Sequence, residues 1–221
     1  MADACPRALV AALLLAFSLP PAAPAEEQLR VRVSTAVAPC VAAASEGWSG
    51  GRRIALETMG LRDPGPADVL VGPLVEMARA LEGGEAVVNS DVDIAVIPWV
   101  LSVAAGNPLR VKGLADVREK GVDLVVLGGP ASYEARRALA GGGTSRVREV
   151  SDRATLRAAP VALVPLSLAG GGERIAVSEV PPLRISAAVG AHAPQAQRAQ
   201  EFVRYLGSEA GQRAFAACGS R

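Results

Sequence analysis

The sequence is poor in the residue types that most catalytic and metal-binding sites use. It has one His, His192, three Cys and 3% aromatic residues in a chain of 221. One His and scattered Cys exclude a zinc-type site, which takes several such ligands at set spacings. The chain has no Gly-x-Ser-x-Gly segment, no Gly-x4-Gly-Lys-Ser/Thr segment and no Gly-x-Gly-x-x-Gly after its first predicted strand. We therefore expect no catalytic residue, no metal ligand and no cofactor.

Charge of neither sign is in excess. Lys and Arg total 23, Asp and Glu total 22, and the formal net charge is +1. Proteins that bind nucleic acid usually carry a basic patch or stripe, and the Arg52-Arg53 and Arg136-Arg137 pairs are too short to form one. We expect no nucleic-acid partner, and these pairs are typical of solvated surfaces.

Long hydrophobic runs are confined to the N-terminus. Residues 8–19 are apolar with a single exception, two prolines follow, and Ala23 and Ala25 provide small residues before a cleavage point. The run of about 12 residues is too short for a bilayer of ~30 Å, which needs about 20. This pattern predicts a secretory signal peptide over residues 1–25 and a periplasmic or secreted protein that begins near Glu26. A buried core helix and a membrane anchor are the alternatives.

Cysteine is scarce, and the number of cysteines becomes even once the signal is removed. Cys5 lies in the predicted signal, which leaves Cys40 and Cys218 in a compartment that permits disulfides. We predict a bridge that ties the start of the first helix to the last helix. In the chain-entropy account so long a loop is worth roughly 4–5 kcal/mol. Two unpaired buried thiols are the alternative.

Strand and helix patterns alternate along the rest of the chain. Apolar runs at 68–72 and 123–127 are typical of strands buried in a parallel sheet, and 86–89 also has a strand pattern. Alternation of strands and helices with short links indicates an open α/β fold. The helix after the first run is predicted to bury one apolar face, formed by Leu74, Met77, Ala78 and Leu81.

The middle of the chain, from about 107 to 183, carries its own strand–helix–strand set, so the outer parts can form a second lobe. A chain that leaves one lobe and returns to it needs two crossings, for which 93–99 and 183–189 are the candidate strands. The sequence thus predicts two lobes, the first formed by residues 26–98 and 184–221 and the second by residues 99–183.

Loops rich in Ser, Thr and Gly follow several predicted strands. In an open α/β sheet the carboxyl ends of the strands share one edge, where ligands bind. Helix N-termini and hydroxyl groups there can hold a small dianion without Lys or Arg. A role as simple helix caps is the alternative for each Ser and Thr. The loops lie at 33–36, 57–60, 128–133 and 164–167.

Three segments carry a resemblance to a known family. Residues 66–71 read Pro-Ala-Asp-Val-Leu-Val, 107–109 read Asn-Pro-Leu, and the tail contains Phe202, Leu206 and then Ser-Glu-Ala-Gly-Gln at 208–212. Together they resemble the type II periplasmic solute-binding proteins, most nearly the molybdate-binding branch. The tail is the most specific segment, and it marks the superfamily rather than the ligand. The resemblance implies an α/β fold of two lobes, each a mixed sheet flanked by helices, joined by two crossing strands.

The resemblance also implies where a ligand would be held. Carried over position by position, the family's contact loops fall on seven residues of this chain: Ser34, Thr35, Thr58, Met59, Ala131, Ser132 and Ser167. The second loop departs from the family's Gly-Ser-Gly pattern, and no Tyr accompanies the fourth loop. Another oxyanion than molybdate, or loss of tight binding, is therefore an alternative.

The function implied is capture of a small oxyanion, molybdate-like or tungstate-like, by a monomeric binding protein that is not an enzyme. Its partner would be the permease of a membrane ABC transporter. One alternative is a divergent member of the fold that serves as a sensor or scaffold with a degenerate pocket. A second is an enzyme on this fold, which would need an acid–base group such as Asp68 or Asp93.

Overall fold

The computed structural model describes residues 28–48, 53–58, 61–62, 65–140 and 146–219, so the predicted signal peptide lies outside it. Within these ranges no helix has the length and apolar character that crossing a bilayer requires. The strands are β1 (Leu29–Val33), β2 (Ile54–Thr58), β3 (Val69–Pro73), β4 (Val92–Ile97), β5 (Trp99–Val103), β6 (Leu124–Leu127), β7 (Val147–Val150), β8 (Val161–Pro165), β9 (Glu173–Ala176) and β10 (Leu183–Val189). The helices are α1 (Ala38–Glu46), α2 (Leu74–Glu82), α3 (Leu114–Glu119), α4 (Tyr133–Ala140), α5 (Arg153–Ala158), α6 (Ala196–Gly207) and α7 (Glu209–Ala217), with single 3-10 turns at Pro130–Ser132 and Leu166–Leu168.

The first sheet has five strands in the order β2-β1-β3-β10-β4. β1 pairs in parallel with β2 and β3, whereas β10 runs antiparallel to β3 and β4. Val31 lies opposite Val69 and Val33 opposite Val71, and all four side chains are fully buried. Because parallel strands end at the same edge, β1 and β3 bring Ser34 and the start of α2 to one rim.

The second sheet also has five strands, in the order β7-β6-β8-β5-β9. β6 pairs in parallel with β7 and β8, and β5 runs antiparallel to β8 and β9. Every residue of β6 and β8 is buried, as their continuous apolar sequences predict. The ends of these two strands lead to the two 3-10 turns. Two mixed sheets flanked by helices confirm the predicted two-lobed α/β fold.

The chain passes between the sheets at two places. β4 ends at Ile97 in the first sheet and β5 begins at Trp99 in the second, so Pro98 makes the first crossing. The segment 177–182 makes the second, from β9 back to β10. The crossing strand predicted at 93–99 is therefore divided at Pro98, which has no N–H to continue a ladder.

The strand predicted at 86–89 is wrong. Ala86 forms a single antiparallel bridge to Gly190, and the Val87 N–H donates to the Val189 carbonyl at 2.8 Å. Asn89 then adopts a φ of 61°, which turns the chain toward β4. Left-handed backbone at this residue ends the extended run that its apolar neighbours suggest.

The C-terminal helices bring two fully buried aromatic residues, Phe202 and Phe215, and a disulfide to the core. Cys40 of α1 is bonded to Cys218, directly after α7, with 5.4 Å between the Cα atoms. The predicted pairing is thus present, and α1 packs against α7 beside it.

Candidate functional site

A cavity of about 220 Å³ lies between the two sheets, at the edge where several strands end. The first lobe contributes the loop after β1 and the first turn of α2. The second lobe contributes the loop after β6 and the residue after β7. The described residues that line the cavity are Ser34, Thr35, Ala36, Glu76, Leu127, Gly128, Gly129, Pro130, Ala131 and Ser151.

Ser34 is held in place by the backbone where β1 ends. Its N–H donates to the Val71 carbonyl at 2.9 Å, and its carbonyl accepts from the Ala38 N–H at 3.1 Å. The loop thereby turns directly into α1. Gly72 permits this close approach of β3, because a Cβ there would lie 2.9 Å from Leu61 Cδ1 and 3.1 Å from Ser34 Cβ.

The opposite wall is a glycine turn at the end of β6. The Gly128 N–H donates to the Val150 carbonyl at 2.7 Å, and Gly129 has a φ of 90°, a conformation that favours glycine. The Ser132 hydroxyl donates to the carbonyls of Leu127 and of Gly129, the latter at 3.0 Å. Ser132 therefore stabilises its own loop, and the residues after the turn line the cavity.

One carboxyl group faces the cavity, and it is almost completely buried. Glu76 is 9% exposed, and the Ser34 hydroxyl donates to its Oε1 at 3.0 Å. Burial raises the pKa of Glu76 above its ordinary 4.5, and hydrogen bonds from Ser34 and the Ala131 N–H and the charge of Arg79 offset this only partly. Glu76 is the one titratable side chain among the described lining residues, none of which is Lys or Arg.

Glu76 is not among the predicted contact residues, because the buried face of α2 differs from the predicted one. The predicted face consists of Leu74, Met77, Ala78 and Leu81, whereas the buried residues are Glu76, Met77 and Ala80. Leu74 is instead 38% exposed and lines an apolar groove of about 500 Å³ beside the cavity. The second lobe covers part of α2, and helical periodicity carries no information on that contact. The available signal was a Glu in the first turn of a helix that follows a buried strand.

The structure brings several of the predicted contact residues together. Ser34, Thr35 and Ala131 line the cavity. Ser167 is buried nearby, and its hydroxyl donates to the Ala36 carbonyl at 2.6 Å. Because Ser167 belongs to the second sheet's side and Ala36 to the first, this hydrogen bond joins the lobes directly.

Of the two residues predicted in the second contact loop, the structure describes Thr58 alone. Thr58 is exposed at the end of β2, where it pairs with Val33 at the edge of the first sheet. Met59 lies outside the described residues. Of the two, Thr58 is absent from the cavity lining.

The two aspartates considered as acid–base groups have structural partners. Asp68 is fully buried and accepts from the N–H groups of Arg30 at 2.8 Å and Gln195 at 2.9 Å. Asp93 forms an exposed ion pair with Arg184 on the neighbouring strand. Neither aspartate lines the cavity.

Comparison with known sequences identifies a family across nearly the whole chain. A sequence model of the family described as bacterial extracellular solute-binding protein matches residues 22–221. No curated protein sequence matches the chain.

Solved structures share the fold at low sequence identity. The periplasmic molybdate-binding protein of Azotobacter vinelandii is 14% identical, with a TM-score of 0.75 over 88% of this chain and 99% of that one. The sulfate-binding protein of Mycobacterium tuberculosis H37Rv is 16% identical, with a TM-score of 0.66 over 88% and 86%. Peb3 of Campylobacter jejuni, in a structure with bound L-phospholactate, is 17% identical, with a TM-score of 0.67 over 88% and 99%.

Proposed function

Since the chain belongs to the bacterial extracellular solute-binding proteins, we propose that it works in the periplasm or after secretion as the binding protein of an ABC transporter. It captures a small oxyanion, of the molybdate or tungstate kind, between its two lobes. It then delivers the anion to the membrane permease. We propose that it does so as a monomer, without a cofactor and without catalysing a reaction.

The composition and size of the cavity between the sheets carry this proposal. Pockets for drug-sized ligands usually measure about 300–1,000 Å³, and a cavity of about 220 Å³ suits a solute of only a few heavy atoms. Ser34, Thr35 and Ser151 bring hydroxyl groups to its wall, and Ala131 brings a backbone N–H. Such donors bind oxyanions at strand and helix ends without a cationic side chain.

The proposed mechanism is closure of one lobe on the other. Residues 26–98 with 184–221 form one lobe and residues 99–183 the other, with hinges at the two crossings. A ligand that contacts both lobes stabilises the closed state by the difference in its affinity for the two states. The hydrogen bond from the Ser167 hydroxyl to the Ala36 carbonyl also stabilises the closed state, because it forms only when the lobes are in contact.

Three of the structural neighbours are described with molybdate, sulfate or L-phospholactate, each of which presents a tetrahedral oxyanion group. Another is described in complex with agropinic acid. At 14–17% identity these similarities establish the fold, and the ligand class is our inference from the cavity.

Thermal unfolding with single anions tests the proposal. The purified protein would be heated with molybdate, tungstate, sulfate, phosphate or no addition. An anion at 100 times its Kd adds about 2.7 kcal/mol. For a chain of this size that raises Tm by roughly 5–10 °C. No rise with any anion contradicts the oxyanion assignment.

A matched pair of variants locates the effect in the cavity. Thr35→Val removes a hydroxyl from the cavity wall, whereas Thr58→Val makes the same change at an exposed residue outside it. Because hydrogen bonds to charged groups contribute about 1.5–3 kcal/mol, Thr35→Val should weaken binding at least tenfold. Thr58→Val should leave the affinity unchanged, and equal losses in both variants would contradict the placement.

A second candidate function is a sensor or scaffold with a degenerate pocket. It is favoured by the observation that three predicted ligand hydroxyls already have protein acceptors. Ser34 donates to Glu76, Ser132 donates to its own loop, and Ser167 donates to the other lobe. The sensor or scaffold hypothesis predicts that no small anion changes Tm.

A further inference from the structure

The carboxylate of Glu76 occupies a group that the proposed function assigns to the ligand. Its Oε1 accepts from the Ser34 hydroxyl at 3.0 Å, and it lines the same cavity as Ala131 of the second lobe. Glu76 therefore lies in the cavity as an internal anion, and a bound oxyanion must either displace it or sit against it.

Among the described lining residues, no positively charged group compensates for two anions. α2 packs against β3, β10 and the 3-10 turn at 130–132. Among these described elements only β10 carries a charge, that of Arg184, which is paired with Asp93. On α2 itself, Arg79 is exposed, and its charge offsets only part of the rise in the pKa of Glu76 that burial causes.

The charged groups near the rest of the cavity wall provide no compensating positive charge. The carboxylate of Asp152, beside the lining residue Ser151, is exposed and accepts from the Thr155 N–H at 2.7 Å as the cap of α5. At the edge of the adjoining groove, Glu134 is ion-paired with Arg137. An ionised Glu76 and a dianion in contact would therefore repel each other in a poorly solvated space.

We propose that the cavity takes up its oxyanion together with one proton, held between Glu76 and a ligand oxygen. This inference rests on the proposed function, and within the tetrahedral oxyanions it moves the favoured ligand away from molybdate and tungstate, which carry no proton at neutral pH. The favoured ligand is a tetrahedral oxyanion that carries a proton at neutral pH, such as hydrogen phosphate or hydrogen arsenate. Its O–H donates to the ionised Glu76, while its other oxygens accept from the wall.

A fully ionised anion such as sulfate brings no proton of its own. It binds only when Glu76 is protonated, so that the carboxyl O–H donates to a ligand oxygen. Removing the charge from Glu76 should therefore abolish the preference of the site for a proton-bearing anion over sulfate. For two unit charges about 4 Å apart at an effective dielectric constant of about 20, the repulsion weakens binding by as much as about a thousandfold.

The test uses sulfate, whose charge is constant over the pH range, and phosphate as the proton-bearing probe. Calorimetric titrations of the wild type and Glu76→Gln would be run at about pH 5, 7 and 8.5. In the wild type we expect the Kd for sulfate to rise, approaching tenfold per pH unit, above the pKa of Glu76. In Glu76→Gln it should be constant with pH and at least tenfold lower at the highest pH. The preference for phosphate over sulfate should disappear.

Glu82→Gln is the matched control. Glu82 ends the same helix and is exposed to solvent, outside the cavity lining. Its variant should keep the wild-type pH profile. The same change in profile in both variants would contradict a role for the cavity carboxylate.

The outcomes separate the two proposals. If none of molybdate, tungstate, sulfate and phosphate binds to the wild type or to Glu76→Gln at any pH, the oxyanion function itself fails. If molybdate binds and neither sulfate nor phosphate does, the function stands and the assignment of a proton-bearing ligand is wrong. If sulfate binds with a Kd that is independent of pH and equal in both proteins, the function stands and proton coupling is wrong. Should Glu76→Gln not fold, titrations of the wild type at about pH 8.5, in two buffers of different ionisation enthalpy, decide the question. About one proton taken up per sulfate supports the coupling, and none overturns it.

Discussion

Loss of the disulfide should destabilise the protein more than any single side-chain truncation. The bridge joins residues 178 positions apart, Cys40 and Cys218. In the chain-entropy account, closing a loop of that length in the unfolded chain is worth about 5 kcal/mol at 25 °C. For a chain of this size each kcal/mol corresponds to about 2–4 °C, so Tm should fall by roughly 10–20 °C.

The assay is urea and thermal unfolding of the wild type, oxidised and reduced, beside Cys40→Ala, Cys218→Ala and the double variant. Because one remaining thiol cannot form the bridge, each single variant should be about as unstable as the pair. The reduced wild type should match them. A loss below about 1 kcal/mol in the double variant would refute the reasoning, since it would mean that the unfolded chain gains little freedom when the bridge is removed.

Three further changes have distinct expected effects. Ser167→Ala removes a contact between the lobes and should cost the closed state about 1–2 kcal/mol. X-ray scattering of the ligand-free variant should then show a larger radius of gyration, and unchanged scattering would speak against it. Asp68→Ala leaves the buried N–H groups of Arg30 and Gln195 without an acceptor and should cost about 3 kcal/mol in urea unfolding; a loss near zero would refute that role. The raised pKa of Glu76 means that the folded state holds its proton more tightly than the unfolded state does. The unfolding free energy of the wild type relative to Glu76→Gln should therefore decrease as pH rises above 4.5 through the folded-state pKa, and a difference that is constant with pH would contradict this.

The buried carboxyl group of Glu76 stabilises the candidate site when no ligand is bound. Glu76 satisfies the buried Ser34 hydroxyl when no ligand is bound, so this donor is not left unpaired. An unpaired buried donor would cost about 1–3 kcal/mol. Glu76 therefore stabilises this wall of the cavity without ligand, and a ligand must provide better contacts than this internal one.

Most of the fold could be predicted because its signals are local. The apolar runs of β3 and β6, the glycines that end helices and the tail from Ser208 to Gln212 each appear within a few residues. Ser208 caps α7, with its hydroxyl accepting from the Gly211 N–H at 3.4 Å. The strand predicted at 86–89 failed because a single left-handed residue ended it.

Part of the candidate site also follows from local sequence. Ser34 and Ala131 lie directly after buried strands, and the carboxyl ends of parallel strands meet at one edge. The roles of Ser132 and Ser167 do not follow, because a hydroxyl after a strand can bond to its own loop or to another lobe. In this structure Ser132 does the first and Ser167 the second.

The sequence alone determined the alternation of strands and helices, the two-lobed fold implied by the family resemblance, and the pairing of the two cysteines. These depend on hydrophobic period, turn residues and the count of thiols, which are written along the chain. Only the tertiary structure decided which face of α2 is buried, and with it that Glu76 lies in the cavity. The physical reason is that α2 is covered by a lobe formed from residues far along the chain. The environment of a carboxyl group, and therefore its pKa, depends on contacts that no local pattern encodes.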